Sequence, residues 1–517
     1  MKRPTVSNTI RRGIQLAKIA HAAAGVRRAD AATKPLAQRA LVRLLADARG
    51  VPMKVGQYLA TLPDHHAFAP LTESIEPVPV DAVAATLEAT LGCPLDDVFS
   101  TFAPSEAAAS LGQVHRAALR DGRTVAVKIR YADIAMAVEA EMGLAGLLPR
   151  VGPVKTWGFD LNGYRTVLKD NLGRELDYLG EADRQCQFAA AVHLPGLVVP
   201  TIIPEWCREG VLVQSWEEGL RLSALETWSA ADRRAVGVTL AQTLFKSLFV
   251  AGQVHGDPHP GNYLFRKDAQ GRPEVVLLDY GCTVSVPEQA RLALLKLING
   301  CRTGDDTDVL ACFVAMGFDA EKLLPIAATL PALCRVLFEP FLRDGPFGLQ
   351  DWALSARTDA LLGDLRWWFR SAGPPQLLLL MRAFHGLTYY LQTLRVGIDW
   401  WAAVTNAVGP DTLTAARSFT PTPVPGPDRP ISGFVSLARF LKIHITEGDR
   451  QVVSLALPAE QVVHLEDLIP ADTLGRIHAD GSINLPHIIQ QACDTGLNPQ
   501  PLFQLDTATR SYRVWLE

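Results

Sequence analysis

The chain has 517 residues, of which 48% are hydrophobic and 20% charged, a balance typical of globular proteins with substantial cores and not of disordered chains. Its formal net charge of −4 gives no whole-protein attraction to nucleic acid, so no nucleic-acid partner is expected. The eight cysteines form no C-x-x-C pair, which argues against a zinc ribbon or a disulfide scaffold and favours a reducing, cytoplasmic compartment.

The N-terminal region is predicted to be helical from about residue 5 to about residue 60, because apolar residues recur there at helical spacing. Its first helix is basic and amphipathic. Such a helix suits either peripheral contact with an anionic membrane surface or, the interpretation we favour, ordinary packing with a solvated basic face. We expect no signal peptide, since Lys18 and His21 interrupt any apolar h-region.

A short helix is predicted between residues 79 and 102. Asp81 is its expected N-cap, and Gly92 is expected to stop it. Three apolar residues at helical spacing, Val83, Leu87 and Leu91, predict the face that this helix buries.

The next stretch is predicted to be a loop, a strand, a tight turn and a second strand. The loop contains a run of small residues, Ala107, Ala108, Ala109 and Ser110. Asp121-Gly122 is a two-residue hairpin signal, and the strand after it, residues 124–129, carries Lys128 near its end. A lone strand lysine is usually a solvated edge residue, but the V-A-V-K context favours contact with phosphate groups.

The middle of the chain predicts two further strands, near residues 198–200 and 210–216, and a long apolar helix over 232–250. From Tyr280 to about residue 408 the pattern is almost wholly helical. Its most apolar run, Leu377–Met381, reaches Arg382 at once, whereas a membrane span needs roughly 20 apolar residues. No transmembrane span is therefore predicted.

A proline-rich run from Pro421 to Pro430 predicts an extended linker. Beyond it, strands near 440–445, 452–457 and 511–516 and two helix-like stretches predict a small α+β unit. No catalytic constellation is found in that unit.

The most informative stretch reads V-H-G-D-P-H-P-G-N over residues 254–262 and is soon followed by L-L-D-Y-G over 277–281. Asp257 and Asn262 keep the D-x-x-x-x-N spacing of a kinase catalytic loop, and Asp279 opens a variant of the D-F-G metal-binding turn. Singly, each of the three could be a capping or turn residue. Their joint spacing favours a site for metal-bound phosphates.

The candidate metal is magnesium, because carboxylate and amide oxygens are ligands that Mg²⁺ prefers to imidazole. Asn262 and Asp279 are the predicted ligands. His255 and His259 are expected to hold the loop by hydrogen bonds instead.

Residues 255–262 resemble the signature of the UbiB / AarF-domain atypical protein-kinase-like family. Lys54 and Gln57 match its K-x-G-Q motif, and residues 107–110 match the alanine-rich loop that replaces the kinase glycine-rich loop. Glu175 and Asp177 match its E-x-D motif, with Glu181 following at the family's position. These ordered motifs span roughly residues 35–400.

The resemblance implies an α+β, protein-kinase-like bilobal fold with an N-terminal helical extension and a small C-terminal α+β domain. The expected divisions are an extension over 1–95, an N-lobe over 96–216, a helical C-lobe over 217–417, a linker over 418–432 and a C-terminal domain over 433–517. It also implies ATP or ADP with Mg²⁺ as ligands and a link to ubiquinone or other isoprenoid-lipid metabolism. Members in quinone biosynthesis often carry C-terminal transmembrane helices, where this chain has its linker and last domain.

The roles that follow from the resemblance fall on particular residues. Lys128 would hold the α and β phosphates, with Glu181 as its expected acidic partner and Glu175 as the alternative. Asp257 would orient the nucleophile. Backbone groups near Gln214 and Trp216 would meet the adenine, as in a hinge between lobes.

The extension is expected to cover the place where a protein kinase receives its peptide. Lys54 and Gln57, at i and i+3, would share a helix face and meet the carboxylates of Glu175 and Asp177. Alanines in place of glycines would stiffen the nucleotide loop and alter its grip on phosphates.

The predicted function is therefore a UbiB-type ATPase that binds a magnesium nucleotide and supports isoprenoid-lipid metabolism. Two alternatives stay open: a kinase that phosphorylates a small molecule or a protein, and a nucleotide-gated module that binds or chaperones an isoprenoid lipid or quinone precursor with little turnover.

Overall fold

A computed structural model of the chain describes residues 33–48, 78–108, 111–131, 158–363, 365–425 and 440–517, the last range with gaps at 449, 481–482, 495–496, 498–499 and 508. It also describes short pieces at 18–19, 21–22, 25–26, 134, 138 and 438. Lys54, Gln57, Ala109 and Ser110 lie outside the described residues. Within the described ranges, no helix has the length and apolarity that crossing a membrane would require.

The N-terminal part contains helices α1 (Lys34–Ala48), α2 (Val80–Leu91) and α3 (Leu95–Val98). The predicted buried face of α2 is confirmed, and Gly92 ends the helix in the left-handed region at φ +77°. The prediction of Asp81 as N-cap is wrong. Pro79 occupies the cap position, and Asp81 lies one residue inside the helix without a capping bond, where its charge favours the helix dipole.

The N-lobe is built on an antiparallel sheet in the order β1-β2-β3-β5. The strands of this part are β1 (Phe99–Ala108), β2 (Gly112–Leu119), β3 (Thr124–Arg130), β4 (Leu197–Val198) and β5 (Val211–Ser215). The turn at Gly122 is confirmed, with φ +86°. Residues 105–108, expected in a loop, are the end of β1, because Ser105 pairs with His115 and Ala108 with Gln113.

The segment before α2 is fastened to β2 by one side chain. The backbone N–H of Val78 donates to Gln113 Oε1 (2.8 Å), and Gln113 Nε2 donates to the carbonyl of Val78 (3.1 Å). The same amide lies 2.9 Å from Nε2 of the buried His115, whose Nδ1 lies 2.9 Å from the carbonyl of Ala103. A polar network therefore joins residue 78 to the core of the sheet.

Two consecutive helices, α4 (Leu161–Leu176) and α5 (Tyr178–Ala191), follow the sheet strands β1–β3. The remaining helices up to residue 418 are α6 (Ala230–Lys246), α7 (Glu288–Thr303), α8 (Val309–Ala315), α9 (Ala320–Leu323), α10 (Leu330–Leu337), α11 (Glu339–Leu342), α12 (Leu354–Leu362), α13 (Leu365–Ala372), α14 (Leu377–Leu394) and α15 (Trp400–Ser418). The short strands among them are β6 (Gln253–His255), β7 (Tyr263–Lys267), β8 (Pro273–Leu277) and β9 (Thr283–Ser285). The predicted helical character of this region is thus confirmed.

Helix α14 packs against the loop that follows β6. Its buried apolar residues from Ala383 to Leu394 belong to the large aromatic core around Trp400, whereas Leu379 packs with Cys282 and Val284. At Gly386 its backbone approaches the loop so closely that an added Cβ would overlap the Cβ and Cγ of Pro258. Glycine is therefore required at this point of the helix.

The C-terminal part is a four-stranded antiparallel sheet in the order β11-β10-β13-β12 with two helices. Its elements are β10 (Phe440–Glu447), β11 (Arg450–Pro458), α16 (Ala471–Asp480), α17 (Leu485–Asp494), β12 (Gln500–Asp506) and β13 (Ser511–Leu516). Strand β12 was not predicted, and it contains Pro501, a residue type that cannot donate to a strand ladder. The proline is tolerated since β12 lies at the edge of the sheet.

We expect Gly386→Ala to destabilise the protein by about 1–3 kcal/mol, because the new methyl group overpacks the contact with Pro258. The melting temperature of the purified variant measures this. Gly173→Ala is the matched control, since it also lies in a helix but nothing approaches its Cβ position within 4 Å. An unchanged melting temperature for Gly386→Ala would contradict the close approach.

Candidate active site

Three segments of the chain meet at the amine of Lys128. Lys128 Nζ on β3 lies 2.8 and 2.9 Å from the two carboxylate oxygens of Glu181 on α5. It also lies 2.7 Å from Oδ2 of Asp279, in the turn that follows β8. Of the two predicted acidic partners of Lys128, the structure places Glu181 there and not Glu175.

The surroundings of Lys128 are buried and partly aromatic. Its amine lies 4.9 Å from the ring centre of Tyr178, the first residue of α5. Tyr178 approaches the sheet at Gly112, where an added Cβ would lie 2.6 Å from the tyrosine hydroxyl. Burial alone would lower the pKa of Lys128, but the carboxylates of Asp279 and Glu181 outweigh it and raise the pKa. The lysine is therefore charged.

Glu181 is more deeply buried than Asp279, with 1% of its side chain exposed against 28%. Burial raises the pKa of Glu181 to about 7, and the neighbouring Asp279 acts in the same direction. The backbone N–H of Tyr280 also donates to Glu181 Oε1, at 3.3 Å. The buried carboxylate is therefore held by both a lysine and a backbone donor.

The catalytic-loop segment is held by its own side chains. Pro260 begins a single 3₁₀ turn that ends at Asn262, and His259 Nδ1 accepts a bond from the N–H of Gly261 (3.0 Å). His255 Nε2 donates to the carbonyl of Asp279 (2.5 Å), and burial lowers the pKa of this histidine. Both histidines are thus placed as loop-holding groups.

The two predicted magnesium ligands are brought together by the β7–β8 hairpin. Asn262 directly precedes β7 and Asp279 follows β8, and the pair Tyr263↔Leu277 puts both at the same end. The N–H of Leu278 donates to the carbonyl of Asn262 at 2.9 Å. Asn262 Nδ2 donates to the carbonyl of Asp257 at 3.1 Å, which leaves its side-chain oxygen as the group that could face a metal.

This donor set fits magnesium. Mg²⁺ is usually bound by one or two carboxylates together with substrate phosphates and water, and not by a cage of protein ligands. Within the described part of the chain, no group of three or more acidic, histidine or cysteine side chains is arranged to hold a metal ion.

Sequence reasoning missed the partner of Asp257. Arg382 on α14 places its Nη2 2.5 Å from Asp257 Oδ1, across 125 residues of sequence. Both side chains are nearly buried. The available signal was an arginine directly after the apolar run 377–381, which we used above only to exclude a membrane span.

The E-x-D residues have different surroundings. Glu175 is buried, accepts a bond from Asn171 Nδ2 (3.0 Å) and packs beside Gly281 of the metal turn. Asp177 is exposed and caps α5, accepting from the N–H of Gly180 at 3.0 Å. Their expected contact with Lys54 and Gln57 stays a prediction, because those two residues lie outside the described ranges.

At the expected hinge, Gln214 and Trp216 belong to the sheet edge near the metal turn. Gln214 Nε2 donates to the carbonyl of Leu278 (3.3 Å), and Gln185 on α5 donates to Gln214 Oε1 (2.7 Å). The N–H of Trp216 donates to Thr124 at 3.1 Å, so adenine contact here would use other backbone groups. Ala107 and Ala108 lie at the end of β1.

Comparison with known proteins identifies a domain within the chain. Residues 70–313 match the model of the ABC1 atypical kinase-like domain. The chain carries an ABC1 atypical kinase-like domain. The resemblance to the UbiB / AarF-domain family and the protein-kinase-like α+β fold are thereby confirmed.

Relatives support the same family. An uncharacterized chloroplastic aarF domain-containing protein kinase of Arabidopsis thaliana is 28% identical over 72% of this chain. A probable protein kinase UbiB of Pseudomonas aeruginosa is 28% identical over 71% of this chain and 70% of its own length. The chain covers only 54% of the length of the plant relative.

A solved structure also matches. The Mycobacterium tuberculosis protein Rv3197, determined in complex with erythromycin, aligns with a TM-score of 0.50 at 26% identity. The alignment covers 71% of this chain and 94% of that one. The described fold is therefore shared over most of both chains.

We expect the stability of the ligand-free protein to fall between about pH 5 and about pH 8 because of Glu181. Its pKa rises from 4.5 to about 7 on folding, so the stabilisation is complete below pH 4.5 and is lost as the pH rises through 7. The loss is at most ~3 kcal/mol. Melting temperatures of wild type and Glu181→Gln across this range measure it, and equal slopes for the two proteins would contradict the shift.

Proposed function

We propose that this chain binds a magnesium nucleotide between its lobes and hydrolyses ATP, as an atypical kinase-like ATPase of the UbiB type. The observation that carries the proposal is the meeting of Lys128, Glu181 and Asp279 at one amine, with Asn262 brought beside Asp279 by the β7–β8 hairpin. This supplies a cation for phosphates and oxygen ligands for magnesium, which phosphoryl transfer requires.

The proposed roles follow from these positions. Lys128 would keep its bonds to Glu181 and exchange its bond to Asp279 for the α and β phosphates. Asp279 and Asn262 would then hold Mg²⁺, which neutralises charge on the phosphate oxygens when bound. Asp257 would orient the attacking group.

Hydrolysis is proposed over protein phosphorylation because of the family motifs. Lys54 and Gln57 would cover the peptide-acceptor side, together with Glu175 and Asp177. The run Ala107, Ala108, Ala109 and Ser110 would hold the nucleotide with a stiffer loop than glycines form. The domain boundaries predicted from the sequence are retained in this proposal.

We also propose a role in ubiquinone or other isoprenoid-lipid metabolism. Its support is the family, which includes a relative named UbiB. The lipid would be an isoprenoid or a quinone precursor, reached by peripheral contact with a membrane.

We expect Asp279→Asn to abolish the magnesium-dependent thermal shift that ATP or ADP gives, because the carboxylate ligand is lost. For wild type, nucleotide at 100 times its Kd should add about 2.7 kcal/mol. Asp257→Asn should keep this shift and lose turnover by about 100-fold or more.

Asp268→Asn is the matched control, since Asp268 bonds the turn at the opposite end of the same β7–β8 hairpin. It should keep the shift and the turnover. A full magnesium-dependent shift in Asp279→Asn would contradict the proposed metal site.

For the lipid role, we expect a strain lacking this gene to have altered quinone or isoprenoid-lipid levels. The wild-type gene should restore them and the Asp279→Asn gene should not, if nucleotide binding drives the role. Mass spectrometry of lipid extracts measures this. Unchanged profiles in the deletion strain would contradict the lipid proposal and leave the nucleotide site to be judged by the thermal shift.

A further inference from the structure

A nearly buried ion pair joins the catalytic loop to helix α14. The side chains of Arg382 and Asp257 are 10% and 5% exposed, and their nearest atoms are 2.5 Å apart. Ion pairs this deeply buried add little net stability, because desolvation offsets most of the Coulomb attraction. Its position on the residue proposed to orient the nucleophile therefore points to a functional reason.

Helix α14 meets three consecutive residues of the loop on one of its faces. Leu379 lies near Gly256, where an added Cβ would be 3.6 Å from the leucine Cβ. Arg382 bonds Asp257, and Gly386 admits Pro258 against its backbone. Residues 379, 382 and 386 lie on the same face of a helix. The guanidinium of Arg382 is therefore positioned by a helix that also packs against the residues on both sides of Asp257.

The loop has no lysine or arginine of its own to do this. Residues 255–262 read H-G-D-P-H-P-G-N. The two histidines have other contacts, His255 with the carbonyl of Asp279 and His259 with the N–H of Gly261. Lys128 is placed at Glu181 and Asp279. Arg382 on α14 therefore brings a cation to Asp257 from outside the loop.

We propose that Arg382 is the positioning residue of Asp257, an inference that rests on the proposed ATPase function. Its guanidinium holds one carboxylate oxygen, so that the carboxylate keeps the orientation in which it aligns the attacking water. In the reaction, the water oxygen bonds to the γ-phosphorus as the bond from that phosphorus to the β–γ bridging oxygen breaks. ADP leaves with the electron pair, one proton of the water stays on the released phosphate, and the other passes to solvent.

The test is steady-state ATP hydrolysis by the full-length protein, with nucleotide affinity measured separately. Arg382→Met should lower kcat by about 100-fold, the usual cost of a misplaced catalytic group. KM and the Kd of magnesium ATP should stay within about twofold, because the lost contact serves the chemical step and not nucleotide binding. Arg382→Lys should recover part of kcat, since it keeps the charge without the planar fork.

Arg233→Met is the matched control, because Arg233 lies on α6 and supports α14 from outside the catalytic loop. Arg233 Nη1 donates to the carbonyl of Leu394, the last residue of α14, at the end of that helix farthest in sequence from Leu379. This variant removes an arginine that supports α14 and should lower the melting temperature without a selective loss of kcat. Circular dichroism measures the folded fraction of each variant. Dividing kcat by that fraction separates a loss of folding from a misplaced catalytic group.

Asp257→Asn combined with Arg382→Met completes a double-mutant cycle. If the arginine acts through Asp257, the double variant loses about as much kcat as Asp257→Asn alone, because the two residues act as a unit. If instead the fold losses in kcat of the two single variants multiply in the double variant, the inference is overturned, since Arg382 would then act independently of Asp257.

Other outcomes also decide. A folded Arg382→Met protein with wild-type kcat overturns the inference, as does a parallel rise in Kd and KM with kcat unchanged. A wild-type protein that binds magnesium nucleotide but turns none over overturns it too. A wild-type protein that binds no magnesium nucleotide instead overturns the proposed function, a result that the affinity measurement identifies on its own.

Discussion

A charged amine buried between two carboxylates is the interaction on which the site depends. Lys128 lies 53 residues from Glu181 and 151 residues from Asp279, so a sheet strand, a helix and a turn must all be placed before the contact forms. The Glu181 side chain is 1% exposed, and leaving a charge buried to that extent without its partner costs several kcal/mol. The strand, the helix and the turn at Asp279 therefore share a contact at one nitrogen, which favours their native arrangement.

The two acidic positions of the site contact different cations. Asp279 shares Lys128 with the buried Glu181, in contacts of 2.7 and 2.8 Å. Asp257 contacts Arg382 on α14. In the proposed function, Asp279 exchanges Lys128 for a magnesium ion whereas Asp257 keeps its arginine, so the two carboxylates would have separate tasks.

The sequence predicted those parts whose chemistry is local. The D-x-x-x-x-N spacing, the D-Y-G turn and Lys128 on its strand were recognisable because each needs particular residues at short range. Arg382 could not be found in this way, since its meaning comes from packing α14 under a loop 125 residues away.

The errors in secondary structure have the same origin. Asp81 is a good N-cap by residue type, yet Pro79 takes the cap because its φ already suits the start of a helix. Ser105–Ala108 has no strand pattern of its own and becomes a strand by pairing with β2. Pro501 is accepted because β12 pairs on one side only. In each case the adjoining segments of the same chain determine a local structure that the residue's own propensity does not specify.

The two hydrogen bonds between Gln113 and Val78 affect where the protein can be cut into fragments that fold. The amide of Gln113 satisfies both backbone groups of Val78 and also reaches the buried His115, which is neutral because burial lowers its pKa. A fragment starting just after this residue would present the sheet with a buried amide stripped of two bonds, each worth about 1 kcal/mol or more when left unmade. A fragment meant to keep the sheet intact must therefore begin before residue 78, ahead of the boundary expected from the sequence between residues 95 and 96.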